Sequence, residues 1–330
     1  MDILKDFFIF LSQNKWLNEA AKRWGLKLGA QSVVAGTNIE EMIKSVKKLN
    51  THGISATIDN LGEFVDDRQE AIQAKEQIFK VIEAIHVHDV DAHLSIKPSQ
   101  LGLDIQYEFC LENIREIVAE AYRYNIFVNF DMEDYGHLQQ SFDLVDNLSK
   151  QYDNIGTVIQ AYFYRAEEDV KTYKDYRLRI VKGAYKEPKE VAYQDQESID
   201  QNFIRLIEYH LIHGAFTSIA THDHRIINHV KTFVEQHHIP KDTFEFQMLY
   251  GFRKDLQLEL TQQGYHVCTY VPFGEDWYGY FMRRLAERPQ NMKLVTKHVF
   301  NKRTKTIIGV AIGAFLIGRL SKKNEQKKRS

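Results

Sequence analysis

Between residues 53 and 291 the chain repeats one unit eight times: a short β-branched or alternating apolar run, then a longer stretch of helical periodicity. The runs are "GISATIDNL" (53–61), "AHLSIKP" (92–98), "IFVNFDME" (126–133), "GTVIQAY" (156–162), "RLRIVKGAY" (177–185), "TSIATH" (217–222), "TFEFQML" (243–249) and "YHVCTYVPFG" (265–274). Between them lie amphipathic stretches such as "DRQEAIQAKEQIFKVIEAIHVH" and "SIDQNFIRLIEYHLIHG". Eight strand and helix units over about 230 residues match an α/β fold, the (βα)8 or TIM-like barrel, in count and size. A doubly wound open sheet shares the alternation, but no GxGxxG follows an early run, which removes the usual dinucleotide fingerprint of that fold. The expected layout is an N-terminal helical cover over 1–50, with helices at 14–24 and 39–49. The barrel follows over 51–291, then a C-terminal helix and basic tail over 292–330.

Composition narrows the partners. The 330 residues carry 43 basic and 45 acidic side chains, a net charge of -2, which gives no electrostatic reason to expect a nucleic-acid partner. Two cysteines, Cys110 and Cys268, form no CxxC pair. The start "MDILKDFFIFLSQNKW" lacks the basic opening and small-residue cleavage site of a secretory signal. A cytoplasmic, reducing location is expected.

In a (βα)8 barrel reactive side chains gather at the C-terminal ends of the strands. Polar residues stand there in seven of the runs: Lys97 in the second, Asp131 and Glu133 in the third, Gln160 in the fourth, Arg179 and Lys182 in the fifth, His222 in the sixth, Gln247 in the seventh and Tyr270 in the eighth. Any one of them alone reads as well as an ion-paired or solvated residue. After the eighth run, "DWYGYFMRRLAERPQN" (276–291) sets Tyr280, Arg283, Arg284 and Glu287 on one helix face at i, i+3, i+4 and i+7. With Lys97, the paired guanidinium groups could cradle a small carboxylate bidentately, with Glu287 steadying them and Tyr270 and Tyr280 as walls. The same spacing also suits a salt-bridged surface helix. Two other chemistries stay open at this point. His222 and His224 in "THDHR" suit a metal-dependent hydrolase, and Lys97 or Lys182 could be the nucleophile of a Schiff-base aldolase.

The motifs "SIKPSQLG", "NFDMED", "VIQAY", "RIVKGAYKE", "ATHDH", "EFQMLYGFRKDL" and "YVPFGEDWYGYFMRRLAERPQN" resemble, in this order, those of the FAD-dependent proline dehydrogenase family. The resemblance covers residues 50–291 and implies a (βα)8 barrel with its last helix over the mouth. It also implies oxidation of L-proline to 1-pyrroline-5-carboxylate, with hydride passing from the carbon beside the ring nitrogen to flavin N5 and electrons going on to a membrane quinone. Residue by residue, Lys97, Arg283 and Arg284 match the family's carboxylate-binding cations, Tyr270 and Tyr280 the aromatics on the proline ring, and Leu249 an apolar wall. Asp131 matches the active-site aspartate and Arg179 the arginine near flavin N5. Met132, Gln160, Val181, Lys182, Gly183 and Ala184 match isoalloxazine and ribityl contacts, and Thr221 and His222 contacts towards the adenine nucleotide. Gln247 and Glu287 are expected beside the cofactor.

These roles agree with physical expectation. Hydride transfer needs no protein nucleophile, so the protein positions the donor carbon and tunes charge around it. A cation such as Arg179 favours a reduced, anionic flavin, and Gly183 suits a close backbone approach. Two positions depart from the family's pattern: Lys186 follows "KGAY" where many members have an aromatic residue, and Pro98 replaces a small or apolar residue. The resemblance is to the single-function bacterial form, so oxidation of the pyrroline product is expected to need a separate pyrroline-5-carboxylate dehydrogenase. The tail "TIIGVAIGAFLIGRLSKKNEQKKRS" has an apolar run shorter than the roughly 20 residues of a spanning helix. Its basic end suits either peripheral contact with the inner face of the cell membrane or a final packed helix with a solvated end.

Overall fold

The structure, a computed structural model, describes residues 32–287, with side chains described as far as residue 282. The expected helix at 14–24, the side chains of Arg283, Arg284 and Glu287, and the tail at 292–330 lie outside the described residues. The chain divides into two compact units, Asn38–Phe273 and a second whose described parts are residues 32–37 and 274–287.

The first unit opens with α1 (Ile39–Asn50). Asn38 caps it by accepting from Glu41 N at 2.9 Å, acidic residues fill its first turn and lysines its last, all as the helix dipole favours. Strands and helices then alternate: β1 (Ser55–Asn60), α2 (Arg68–His88), β2 (Ala92–Ile96), α3 (Tyr107–Arg123), β3 (Val128–Phe130), α4 (Tyr135–Leu148), β4 (Ile155–Gln160), α5 (Ala166–Thr172), β5 (Arg177–Val181), α6 (Gln196–His213), β6 (Phe216–Ala220), α7 (His224–Gln236), β7 (Phe244–Leu249), α8 (Lys254–Gln262) and β8 (His266–Phe273). Every strand pairs in parallel with the next, and β8 returns to β1 in the register Ser55↔Cys268 to Asn60↔Phe273, closing the barrel. Each of the eight runs read from the sequence overlaps one strand, two of the strands starting one residue earlier, at Ile155 and Phe216, so the (βα)8 expectation is met.

Period-2 alternation sorts the strand residues into two layers. Most outward residues are apolar and buried under the helices, Thr217 and Thr269 being buried polar exceptions that bond to His210 and Gln257. Leu178, Ile180, Phe244 and Phe246, for example, belong to one core with Phe203 and Leu206 of α6 and Val230 of α7. Each such side chain contributes about 1.5–3 kcal/mol through burial. Inward residues of β1, β5 and β7 are instead polar, as "T-x-D", "R-x-R" and "E-x-Q" show. The barrel interior is therefore a hydrogen-bonded network rather than layers of branched aliphatics, and the outer shell carries the hydrophobic stabilisation.

In the second unit, α9 (Trp277–Glu287) follows Gly274, whose N–H donates to Gly36 O at 3.0 Å. Trp277 meets the rings of Tyr278 and Phe281. Among the described residues, no helix is long and apolar enough to cross a membrane.

Candidate active site

Regular pairing of β2 stops at Ile96, because Pro98 has no N–H for the ladder and opens a 3-10 turn, Pro98–Leu101. Lys97 is thus released at the C-terminal end with its side chain free to turn into the mouth. On β3 pairing extends one residue past the strand, Asp131 N–H donating to Ile96 O at 2.8 Å, which fixes Asp131 beside Lys97. Arg179 needs no such device, since it is an inward residue within β5.

These three side chains meet Asp59 of β1 and Tyr270 of β8 in one cluster. Lys97 Nζ donates to Asp59 Oδ1 at 2.7 Å and to Tyr270 Oη at 3.3 Å, and lies 3.5 Å from Asp131 Oδ2. Tyr270 Oη donates to Asp131 Oδ2 at 2.8 Å. Arg179 Nη1 donates to Asp131 Oδ1 at 2.5 Å and Ser95 Oγ at 2.9 Å, Nη2 to Thr57 Oγ1 at 3.1 Å, and Nε to Gln247 Oε1 at 2.7 Å. Four of its five N–H groups therefore have acceptors among the described residues. The guanidinium also lies 5.2 Å from the Tyr270 ring centroid.

Two carboxylates and two cations balance, and their titration follows from the neighbours. Burial pushes Asp131 up, but Arg179, Lys97 and bonds from Ser95 and Tyr270 overcome it and hold its carboxyl below the usual range. Asp59 goes the other way: burial, aided by repulsion from Asp131, outweighs Lys97 and raises it. Burial opposes a charge on Lys97, yet the two aspartates win and keep its ammonium protonated well above the ordinary lysine range. Burial, then the nearby aspartates, raise the Tyr270 phenol strongly, so it stays a donor.

The other expected site residues fall around the rim. Gln160 Nε2 donates to Glu133 O at 2.7 Å, which leaves its Oε1 to accept. Lys182 pairs with Asp200 of α6 at 2.5 Å rather than joining the interior cluster. His222 Nε2 accepts from Leu249 N at 3.0 Å, and Thr221 Oγ1 from Asp223 N at 3.1 Å. Met132 and Thr221 are buried, Val181, Gly183 and Leu249 half-buried, and Ala184 exposed. Gly183 has φ +115°, and a Cβ there would collide with the Tyr162 ring, so the backbone turn and this packing themselves require glycine. Tyr280 is buried in the second unit. Glu133 accepts from both N and Oγ of Ser99, and burial raises its carboxyl to about 7.

Sequence reading missed Asp59, Thr57 and Ser95. Asp59 stands at the end of its strand like the others, so the strand-end rule applied to "ATIDN" would have found it. Thr57 and Ser95 carry no signal beyond inward alternation. The two alternative chemistries lose their groups. A Schiff-base lysine needs a lowered pKa, whereas Lys97 is held protonated by its aspartates and Lys182 is tied to Asp200. His222 is occupied by Leu249 N, His224 contacts the Arg253 guanidinium, and no His, Cys, Asp and Glu group among the described residues is arranged to hold a metal ion. Two shallow concavities of about 320 and 370 Å³ lie at the N-terminal strand ends, lined by turn residues such as Gly53, Gly264 and Gly214. The convergent charges mark the C-terminal mouth instead.

A closed parallel (βα)8 barrel with a buried, charge-balanced cluster at the C-terminal strand ends has the architecture of a barrel enzyme. Residues 42–297 match the family model described as proline dehydrogenase. Proline dehydrogenase 1 of Bacillus subtilis (strain 168) is 46% identical over 302 residues, covering 91% of this chain and 100% of that protein. Proline dehydrogenase of Deinococcus radiodurans is 42% identical over 283 residues, 84% of this chain and 90% of its own. Among solved structures, proline utilization A from Bdellovibrio bacteriovorus, inactivated by N-propargylglycine, superposes with a TM-score of 0.74 at 23% identity, covering 82% of this chain. The match spans 33% of that longer chain, and it supports the fold. The chain belongs to the proline dehydrogenase family.

Proposed function

We propose that the protein oxidises L-proline to 1-pyrroline-5-carboxylate with FAD as hydride acceptor and passes the electrons to a membrane quinone. Charge balance at the mouth is the observation that carries this reading. With Asp59 and Asp131 set against Lys97 and Arg179, the described cluster offers no activated nucleophile. It offers instead a fixed electrostatic frame, which is what hydride transfer from a positioned carbon requires.

The donor set suits a flavin. Gln160, its amide nitrogen engaged by Glu133 O, has an oxygen free to accept from an imide N–H. Arg179 retains an N–H that can point to an electron-rich edge, and the half-buried rim at Val181–Gly183 lies at the end of the same strand. When bound, FAD supplies the two-electron acceptor. The chain's own residues then hold the substrate: Asp131 and Tyr270 define one side of the pocket, and Lys97 attracts the substrate carboxylate. Because the described cations are already matched by aspartates, an added carboxylate calls for further positive charge. The family resemblance assigns that role to Arg283 and Arg284, with Tyr280 on the proline ring and Glu287 steadying the arginines. Cytoplasmic residence, peripheral membrane contact through the basic tail, and a separate pyrroline-5-carboxylate dehydrogenase downstream complete the proposal.

The purified protein is expected to be yellow, with its flavin absorbance bleached by L-proline under anaerobic conditions and restored by a soluble quinone. A colourless preparation that takes up no added FAD would sink the reading. Arg283→Met and Arg284→Met should each raise KM for proline about 10- to 100-fold, the worth of one charge-assisted bond, with flavin retained. An unchanged KM would return that helix face to an ordinary salt-bridged surface.

A further inference from the structure

Below Arg179 lies a second ion pair, a half-buried arginine against a buried carboxylate, that none of the roles above uses. Arg177, two residues earlier on β5, donates from Nη2 to Glu245 Oε1 at 2.7 Å. Its guanidinium is sandwiched between the rings of Phe127 and Phe216, with centroids at 4.6 and 4.5 Å. The same Glu245 oxygen accepts from Ser218 Oγ at 2.7 Å and from Gln247 Nε2 at 2.6 Å. Gln247 Oε1 in turn accepts from Arg179 Nε at 2.7 Å. Arg177, Glu245, Gln247 and Arg179 thus form one chain running up the barrel axis to the site.

The chemistry of the middle link decides its direction. A glutamine amide can offer a neighbour either its oxygen or its NH2 group, whereas an ionised carboxylate only accepts. Facing Glu245, Gln247 has to present NH2, which turns its oxygen towards Arg179. Without that constraint the amide could flip and set NH2 against the Arg179 Nε–H, donor against donor. We propose that Glu245 is a positioning residue: held by Arg177 and Ser218, it fixes the Gln247 amide and through it the aim of the Arg179 guanidinium at the reacting centre. The inference rests on the flavin-dependent reading of the site and deepens it. Four tethers, from Thr57, Ser95, Asp131 and Gln247, hold the Arg179 plane, and loss of the Nε tether leaves it held at the Nη end alone.

An ordinary structural ion pair is the competing account. Buried pairs often contribute little net stability, and removal of such a pair would alter stability without selectively altering turnover. Glu245→Gln keeps the volume while removing the carboxylate. The holoenzyme variant should lose about 10- to 100-fold in kcat for proline, the worth of one charge-assisted hydrogen bond. Its KM should move less than about threefold, because the carboxylate-binding groups are untouched. Its bound flavin should have a more negative midpoint potential, because the Arg179 charge no longer points steadily at it. The exchange variant Glu245→Gln/Gln247→Glu restores an acceptor-only group beside Arg179 Nε and should recover kcat in part, while the potential stays more negative than in the wild type because the new carboxylate offsets the Arg179 charge. Gln247→Met, which leaves the Arg177–Glu245 pair intact, should reproduce the kcat loss even if Glu245→Gln does not fold. A lowered Tm with kcat and potential unchanged in Glu245→Gln overturns the proposal, as does wild-type kcat in Gln247→Met. Wild-type protein measured first separates the two levels: if L-proline does not reduce its flavin, the functional reading fails and takes this inference with it. If wild type is reduced and the variants match it, only the positioning role fails.

Discussion

Arg179→Met is expected to lower proline oxidation by at least about a thousandfold, in line with removal of a preorganised charge at a reacting centre. It should also destabilise the fold by about 3–5 kcal/mol, as breaking one side of a buried ion pair does. The residue is 4% exposed, and its loss leaves Asp131 with Lys97 at 3.5 Å as its remaining cationic neighbour. The acceptors on Ser95, Thr57 and Gln247 would lose their donor together. The pH dependence carries a sign. Asp131 has a lowered folded pKa, so its contribution is present above the unfolded value and disappears as pH falls through the folded one. The stability gap between wild type and variant should therefore close towards strongly acidic pH and stay wide near neutrality. Urea unfolding at several pH values would measure it. Stability and function can be separated with Arg179→Met/Asp131→Asn, which removes both charges: stability should recover in part and activity should not. If the double variant regains turnover, Arg179 matters only as a counter-ion and its assigned place beside the hydride acceptor is wrong.

The fold was legible because its signal is local and repeated. Each strand announced itself by a short apolar run, and the eightfold count left little but a closed barrel. Residues such as Lys97, Asp131 and Gln247 were legible because the topology fixes where strand ends go, so polarity at those positions acquires meaning. Lys182 shows the limit of that rule: one position past β5 the chain has turned, and the ammonium meets Asp200 on α6 instead of the interior. Gly183 is a second case, where glycine is required by a positive φ and by Tyr162 without reference to a ligand. Pairwise facts were not legible. Which of two carboxylates holds Lys97, or which end of the Gln247 amide faces Arg179, depends on contacts between strands up to 212 residues apart, such as the Ser55–Val267 bond of the closing seam. The Arg177–Glu245 pair had a faint trace in the "R-x-R" and "E-x-Q" alternation, yet nothing in either strand alone says that they meet.

Lys97→Met isolates the other half of the charge balance. Asp59 is 2% exposed, and Lys97 at 2.7 Å is its cationic partner, so the substitution strands a buried carboxylate. In the wild type Lys97 has a raised folded pKa, and its contribution is complete below its unfolded value and lost only as pH rises through the folded one. It is therefore constant between pH 5 and 8, taking an unperturbed lysine at about 10.4. In the variant the pH dependence moves to Asp59, whose carboxyl burial already raises and which loses the cation opposing that rise. The folded state then takes up a proton that the unfolded chain releases, and stability falls as pH climbs from the unfolded aspartate value, about 4, towards the new folded value. The loss should reach about 3 kcal/mol at pH 8 and be markedly smaller at pH 5. Lys97→Met/Asp59→Asn removes the titrating group and should bring back most of the stability with a flat profile. The KM for proline should stay raised, about tenfold, in both variants, because neither has the ammonium proposed to attract the substrate carboxylate. A Lys97→Met loss equal at pH 5 and pH 8 would mean that Asp59 finds another partner. A KM restored by Asp59→Asn would reduce Lys97 to a counter-ion and leave substrate binding to the arginines alone.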